Sequence, residues 1–460
     1  MLGKFPNIFK TARVTPVYKR GSQNQISNYR PVSLLCNLSK VFESVLYKRL
    51  ESYFRLKGFL LDEQYGFRKN KNTELAIFSL INGVLPAFEE SKFAICVFLD
   101  YSACFDTLCR DMLLRKLGRY GIRGPCYDLI KSYFTDRKQF VSYGNCDSAT
   151  LAQKLGVIQG SKCGPLFYDI YTSDIRNICM TDELLMYADD TCLMYVGDDL
   201  TLLTEHVNHR LEVIADWCRF NKLSLNPDKC SYMLMTNKNI LSDPVITLRG
   251  CLVSRVAECK YLGINMDDKL KYHSHIKFLS TKLARICGCT YRLRYYLNEH
   301  TAKNLYYSCL YSAVSYGISV WGGILQCTQR GSRLERLYDK AVLNIFSRFY
   351  PQTRNIHRDA RILKLADIHR FSMAIYMFKS IRLNMYPSLE SNLSLRYPDH
   401  AHNTRFRYEP VLPFPRVTTL RINYKYQGVK VWNSLPNQLR DMETLNLFKK
   451  KLKDYLLEQY

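Results

Sequence analysis

The stretch Leu184-Leu185-Met186-Tyr187-Ala188-Asp189-Asp190-Thr191-Cys192-Leu193-Met194-Tyr195 sets two adjacent acids between two apolar runs. Two short apolar runs joined by a polar turn predict a β-hairpin with Asp189 and Asp190 at its tip. A second acid-ended stretch lies 89 residues upstream. Phe93-Ala94-Ile95-Cys96-Val97-Phe98-Leu99-Asp100 is short, β-branched and aromatic, as a buried strand is, and it stops on a carboxylate. Only a fold can bring Asp100 to the hairpin tip. Buried carboxylates are costly unless paired or metal-bound, and three of them together suit two magnesium ions shared with substrate phosphates. An Asp pair in a turn is also an ordinary solvated turn, so on its own it is a weak signal.

Outward from these strands the pattern alternates. Apolar residues at helical spacing (Val41, Val45, Leu46, Leu50, Phe54) predict an amphipathic helix over 39–54, and a second helix starts at Thr73 and ends near Pro86. Helices are expected over 108–120, 127–134 and 202–220, with strands over 139–143, 232–236 and 257–265. Between them, 156–165 reads as a loop. After Tyr272 the chain turns helical and basic, which places a domain boundary near Lys271.

Composition narrows the function. The 460 residues carry 66 Lys plus Arg against 41 Asp plus Glu, a net charge of +25 and a pI near 9.4, the balance of a protein that binds a polyanion. The excess is spread: +9 over residues 1–80, +5 over 260–300 among Tyr291, Tyr295 and Tyr296, and +6 from 401 to the end. With 47% hydrophobic and 23% charged residues the chain is globular, neither disordered nor coiled coil. No apolar run is long enough to span a bilayer and no signal peptide opens the chain, so the expectation is an intracellular protein of nucleus or cytoplasm. Seventeen cysteines without a CxxC pair suit reduced, buried thiols better than disulfides or zinc.

The words around the acids resemble a known family, the reverse transcriptases of non-long-terminal-repeat retrotransposons, of the LINE type and jockey-like group. Tyr187-Ala188-Asp189-Asp190 matches polymerase motif C, and Val97-Phe98-Leu99-Asp100-Tyr101-Ser102-Ala103-Cys104-Phe105-Asp106 matches motif A. Gln159-Gly160-Ser161-Lys162-Cys163-Gly164-Pro165 matches motif B, and Asn221-Lys222-Leu223-Ser224-Leu225-Asn226-Pro227-Asp228-Lys229 matches motif D. Lys260-Tyr261-Leu262-Gly263 matches the primer grip. Thr15-Pro16-Val17-Tyr18-Lys19, Asn28-Tyr29-Arg30-Pro31-Val32-Ser33-Leu34 and Tyr65-Gly66-Phe67-Arg68 match finger motifs.

The resemblance implies an α+β right-hand polymerase fold. Fingers would occupy 1–92, a palm of antiparallel sheet plus helices 93–270, a helical thumb 271–350 and a basic, mostly helical extension 351–460. It implies an RNA-directed DNA polymerase whose Asp100, Asp189 and Asp190 hold two Mg2+ ions, or Mn2+ in their place. Its partners would be an RNA template, a DNA primer or target DNA, and dNTPs, with no membrane. Phe105 would be the steric gate against the 2′-hydroxyl, or plain core packing. Gln159 and Gly160 would line the nucleotide pocket, or an ordinary loop. Arg30, Lys19 and Arg68 would neutralise the triphosphate, or be solvated surface charge. Lys229 would protonate the leaving pyrophosphate, or sit free on the surface. Tyr261, Leu262 and Gly263 would form the primer grip.

The chain departs from the family at Ala103-Cys104, where Lys-Ala is usual, and at Ile158, where Pro is typical. It also starts at the first finger motif, which implies a fragment without the upstream endonuclease. A relic that binds nucleic acid without catalysis, and an RNA polymerase sharing the palm, are the competing readings. Beyond residue 300 the patterns Tyr316-Gly317-Ile318-Ser319-Val320-Trp321 and Val431-Trp432-Asn433-Ser434-Leu435-Pro436 look like the downstream region of these elements, with no role legible.

Overall fold

Seven apolar residues from Phe93 to Leu99 form a strand buried along nearly its whole length, as the run of β-branched and aromatic side chains requires. It is the middle strand of a five-stranded sheet, in the order Ser254–Arg255, Ser231–Met235, Phe93–Leu99, Asp190–Gly197, Leu184–Tyr187. The last two strands are the expected hairpin, paired antiparallel from Leu184↔Leu193 to Tyr187↔Asp190. At the other edge Ser254–Arg255 runs parallel to Ser231 and Tyr232.

A computed structural model describes residues 3–19, 21–179, 184–325, 328–386, 410–413 and 421–460. Parts of the expected basic tail, 401–409 and 414–420, lie outside the described residues. The chain divides into two units. The first comprises Met1–Lys71, Ile95–Tyr232 and Ile240–Arg255; the second comprises Asn72–Ala94, Met233–Asn239 and Val256–Tyr460.

In the first unit a second sheet is built on Thr11–Tyr18, which pairs antiparallel with Tyr29–Leu34 and parallel with Lys138–Tyr143. The helix Asn37–Leu56 follows, its buried Leu46, Leu50 and Phe54 spaced to face the core. Helices Arg110–Arg119, Gly124–Phe134, Gly164–Thr172 and Leu200–Phe220 complete this unit. Pro125 sits at the start of its helix, where the missing N–H costs nothing.

The second unit is largely helical. Its helix Thr73–Glu89 runs past Pro86, where the sequence predicted a stop. An internal proline removes a hydrogen bond at a cost of about 3 kcal/mol, but Val84, Leu85, Ala87 and Phe88 are all buried on both sides of it, and burying Val84, Leu85 and Phe88 offsets that at about 1.5–3 kcal/mol each. The strand expected over 257–265 is instead a hairpin, Glu258–Tyr261 against Ile264–Asp267. Leu262 and Gly263, at φ 44° and 84°, make its turn. Beyond it, His273–Leu293 and Gln329–Phe346 are amphipathic helices, and Leu365–Ile381, Tyr424–Asn433 and Leu445–Glu458 pack through Phe378, Trp432 and Phe448. No helix among the described residues is long and apolar enough to cross a membrane.

Candidate active site

The hairpin turn is tight. Tyr187 pairs with Asp190, so Ala188 and Asp189 alone make the bend, and Ala188 takes a left-handed φ of 58°. Asp100 follows directly on the neighbouring strand Phe93–Leu99. The three acids of motifs A and C thus reach one end of one sheet, and their charges act on each other. Asp190 is pushed up to about 6, first by desolvation and then by Asp189 and Asp100. Asp189 is raised chiefly by desolvation, with Asp100 adding and Arg30 opposing. Both side chains still reach solvent. No group of three or more His, Cys, Asp or Glu side chains among the described residues is drawn together as a metal cage. An open, all-oxygen set is what a hard cation that keeps waters and substrate phosphates uses, so the residues fit Mg2+ as donors completed by substrate.

Motif D docks against motif A. Tyr101 bridges to Leu225, Ser102 N–H donates to Ser224 C=O (2.8 Å) and Asn226 N–H donates to Asp100 C=O (2.9 Å). Asp100 N–H points to Cys230 Sγ at 3.5 Å. The turn Pro227–Lys229 then presents Lys229, whose Nζ stands 3.7 Å from Asp100 Oδ2. Both ends of this pair are exposed, so its contribution to stability is small; its value is to hold an ammonium beside the acids.

Lys19 and Arg30 lie at the loop end of the Thr11–Tyr18/Tyr29–Leu34 hairpin, where Lys19 N–H donates to Asn28 C=O (2.8 Å). Asp106 is raised by desolvation, against which Gln159, Lys19 and Arg30 all act. Gln159 Nε2 donates to Asp106 Oδ1 at 2.6 Å, and Ser33 N–H donates to Gln159 C=O at 2.9 Å. The predicted nucleotide-pocket residues therefore converge. Gly160, expected to line the pocket, answers to a nearer demand: at φ 101° a Cβ there would stand 2.6 Å from Ser33 C=O.

Phe105 is half-buried. It stacks on Tyr168 at 4.5 Å between centroids and meets Phe67 edge-on at 6.5 Å, so one face is backed and fixed. Arg68 has partners of its own. Its Nη1 donates to Leu61 C=O (3.1 Å), and the groups its charge acts on are Lys71, Tyr47 and Asp169. Asp169, 3% exposed, is raised to about 8 by desolvation, which Arg68 and Lys71 oppose. Arg68 serves this buried carboxyl and the Leu61 loop, and its structural partners do not join it to Lys19 and Arg30.

Three residues that sequence reading missed hold this machinery. Gln64 brackets Ala188 from both sides of the turn peptide. Glu43, fully buried, accepts from Lys162 N–H (2.7 Å) and Cys163 N–H (3.4 Å), anchoring motif B just before the helix Gly164–Thr172. Arg110, 6% exposed, donates to the carbonyls of Gly156, Phe134, Gln153 and Leu155 and fixes the loop that leads into motif B. A polar residue on an otherwise apolar helix face was the available signal for Glu43. Gln64 and Arg110 gave none.

In the second unit the predicted primer-grip residues sit on the 258–267 hairpin, Tyr261 and Leu262 buried and Gly263 exposed. Tyr316 hydroxyl donates to Leu262 C=O at 2.7 Å, and a Cβ on Gly263 would touch its ring at 2.9 Å. Trp321 Nε1–H closes the arrangement on Tyr316 C=O at 3.0 Å. The 316–321 pattern therefore braces the grip turn.

A buried sheet carrying one acid at a strand end and two at the adjoining hairpin tip, with an α+β layout and a helical C-terminal region, defines a polymerase of the right-hand class. The profile of the family described as reverse transcriptase (RNA-dependent DNA polymerase) matches residues 17–266, and the chain belongs to that family. It is 30% identical over 376 residues to a "Probable RNA-directed DNA polymerase from transposon BS" of Drosophila melanogaster, covering 78% of this chain and 41% of that protein. It is 29% identical to the RNA-directed DNA polymerase from mobile element jockey of the same species, covering 84% and 43%. The chain thus spans about two fifths of the length of these relatives. Among solved structures, an apo telomerase from Candida Tropicalis aligns with a TM-score of 0.43 at 13% identity, over 83% of this chain and 67% of that one.

Proposed function

We propose that this chain is the polymerase part of a non-LTR retrotransposon protein and synthesises DNA on an RNA template. A primer 3′-hydroxyl attacks the α-phosphorus of a dNTP, a new P–O bond forms, and the bond to pyrophosphate breaks. One observation carries the reading: Asp100, Asp189 and Asp190 come to one sheet end from two distant segments and repel one another there.

Asp100, Asp189 and Asp190 would hold two Mg2+ ions, or Mn2+, which when bound neutralise charge on attacking and leaving oxygens. Lys19 and Arg30 orient the triphosphate. Gln159, tied to Asp106, shapes the pocket with Gly160. Phe105, backed by Tyr168, excludes a 2′-hydroxyl by contact. Lys229 Nζ, beside Asp100, gives a proton to the departing pyrophosphate. Tyr261, Leu262 and Gly263 grip the primer. Within this reading residues 1–92 are fingers, 93–270 palm, 271–350 thumb and 351–460 a basic extension, working inside the cell on an RNA template and a DNA primer or target.

The test is primer extension on RNA with Mg2+, supplying dNTPs and then NTPs, wild type beside Asp189→Asn. Extension by wild type with dNTPs alone is expected. Intact fold and salt-sensitive RNA binding without synthesis by either protein would instead establish a nucleic-acid-binding relic, and efficient NTP use would establish an RNA polymerase.

A further inference from the structure

Gln64 is 1% exposed and spends its whole carboxamide on two backbone segments. Its Oε1 accepts from Ala188 N–H at 2.9 Å and from Gly66 N–H at 2.8 Å, and its Nε2 donates to Ala188 C=O at 3.4 Å. Ala188 is the left-handed residue of the turn that aims Asp189 and Asp190, a conformation an alanine rarely adopts without outside support. Main-chain bonds set the register around this clasp. Met186 N–H donates to Glu63 C=O (2.9 Å), Tyr65 N–H donates to Met186 C=O (2.7 Å), and Gln64 bridges Met186 in parallel. The segment comes so close that a Cβ on Gly66 would lie 2.3 Å from Ala188 N.

We infer that Gln64 is a positioning residue for catalysis: its carboxamide holds the Ala188 peptide in the left-handed turn and thereby sets where the Asp189 and Asp190 carboxylates stand. The inference rests on the reading of those acids as the metal-holding, catalytic ones. The side chain must both accept and donate, which only an uncharged amide, or a protonated acid, does here. Gln64→Met keeps the volume and loses both functions. Gln64→Glu keeps the acceptor but, when ionised, turns a second oxygen toward Ala188 C=O and adds charge beside the acids.

The 460-residue chain would be compared as wild type, Gln64→Met and Gln64→Glu in single-nucleotide extension on primed RNA, with Mn2+ binding followed separately by electron paramagnetic resonance. Orienting groups behind metal ligands typically change affinity or activity about 10–100-fold. The expected result for Gln64→Met is kcat lowered in that range and Mn2+ affinity weakened about tenfold, with KM for dNTP and RNA affinity within about twofold of wild type, while the backbone groups left unpaired lower the melting temperature. Gln64→Glu should recover toward wild type as pH falls from about 8 to about 6, because burial raises its pKa and protonation restores the donor; Gln64→Met should not.

A loss of RNA binding equal to the loss of kcat, unchanged Mn2+ affinity, or a Glu variant without that pH recovery would overturn the inference. If wild type makes no DNA, the polymerase reading fails on its own. The Mn2+ comparison then still decides whether Gln64 sets the acids.

Discussion

Replacing Asp190 by Asn should abolish synthesis and at the same time stabilise the metal-free protein. Asp190 is raised from 3.8 to about 6 by desolvation and by Asp189 and Asp100. Two pKa units correspond to about 3 kcal/mol, but the side chain reaches solvent, and screening reduces this to about 1 kcal/mol. The direction follows from proton binding. Between pH 4 and about 6 the native state retains a proton that the unfolded chain has released, so stability falls as pH rises through that window, and the full penalty persists above it. Asn has no proton to lose and stays level. Hydrogen exchange of peptides covering Phe93–Leu99 and Leu184–Tyr187 reads the sheet's opening free energy. In EDTA at pH 7.5 the Asn variant should exchange about fivefold more slowly, the factor that about 1 kcal/mol implies, and near pH 4 the two should coincide. Mg2+ should slow exchange in wild type more than in the variant. Equal exchange at pH 7.5, or the same difference at pH 4, would refute the argument that desolvation and like charges together burden this sheet end.

Four further outcomes are expected. Arg110→Met leaves four carbonyls without their donor and should cost about 4 kcal/mol in urea unfolding; a loss below about 1 kcal/mol would mean water replaces the guanidinium. Tyr168→Ala withdraws the ring behind Phe105, and the dNTP-to-NTP preference should fall roughly tenfold; an unchanged ratio would show that the gate needs no backing. Gly160→Ala forces a Cβ against Ser33 C=O at φ 101° and should raise KM for dNTP about tenfold with about 2 kcal/mol of lost stability; wild-type KM would contradict this. His275, 2% exposed, is lowered to about 4 by desolvation and then by Lys260. Its stabilising effect is complete above the unfolded pKa near 6.5 and is lost as pH falls from there toward 4, up to about 3 kcal/mol. His275→Gln should flatten the melting temperature across that window, and a slope equal to wild type would rule the residue out.

The strand ending at Asp100 and the hairpin with its two acids were legible because both signals are local: period-two or continuous apolar runs, interrupted by charge. The helices Asn37–Leu56 and Leu200–Phe220 were legible for the same reason, with boundaries shifted by two residues. Motif words pointed to the acids, Phe105 and Gln159 because each sits within a short stretch that matches the family. Pro86 misled because a local breaker was weighed without the buried side chains that carry its helix onward. The 258–267 hairpin misled because Leu262 and Gly263, inside one apolar stretch, turn the chain with positive φ, and the Tyr316 that packs on that turn lies far along the chain. Arg68 and Gly160 carried the expected residue types, yet their partners, Leu61 and Ser33, emerge only from folding. Gln64 and Ala188 are 124 residues apart, and Glu43 and Lys162 are 119 apart. The motif words mark the groups proposed to do chemistry, since their identity is intrinsic to the side chain. The groups that aim them are known by which backbone peptide they reach, and that is a property of the closed chain.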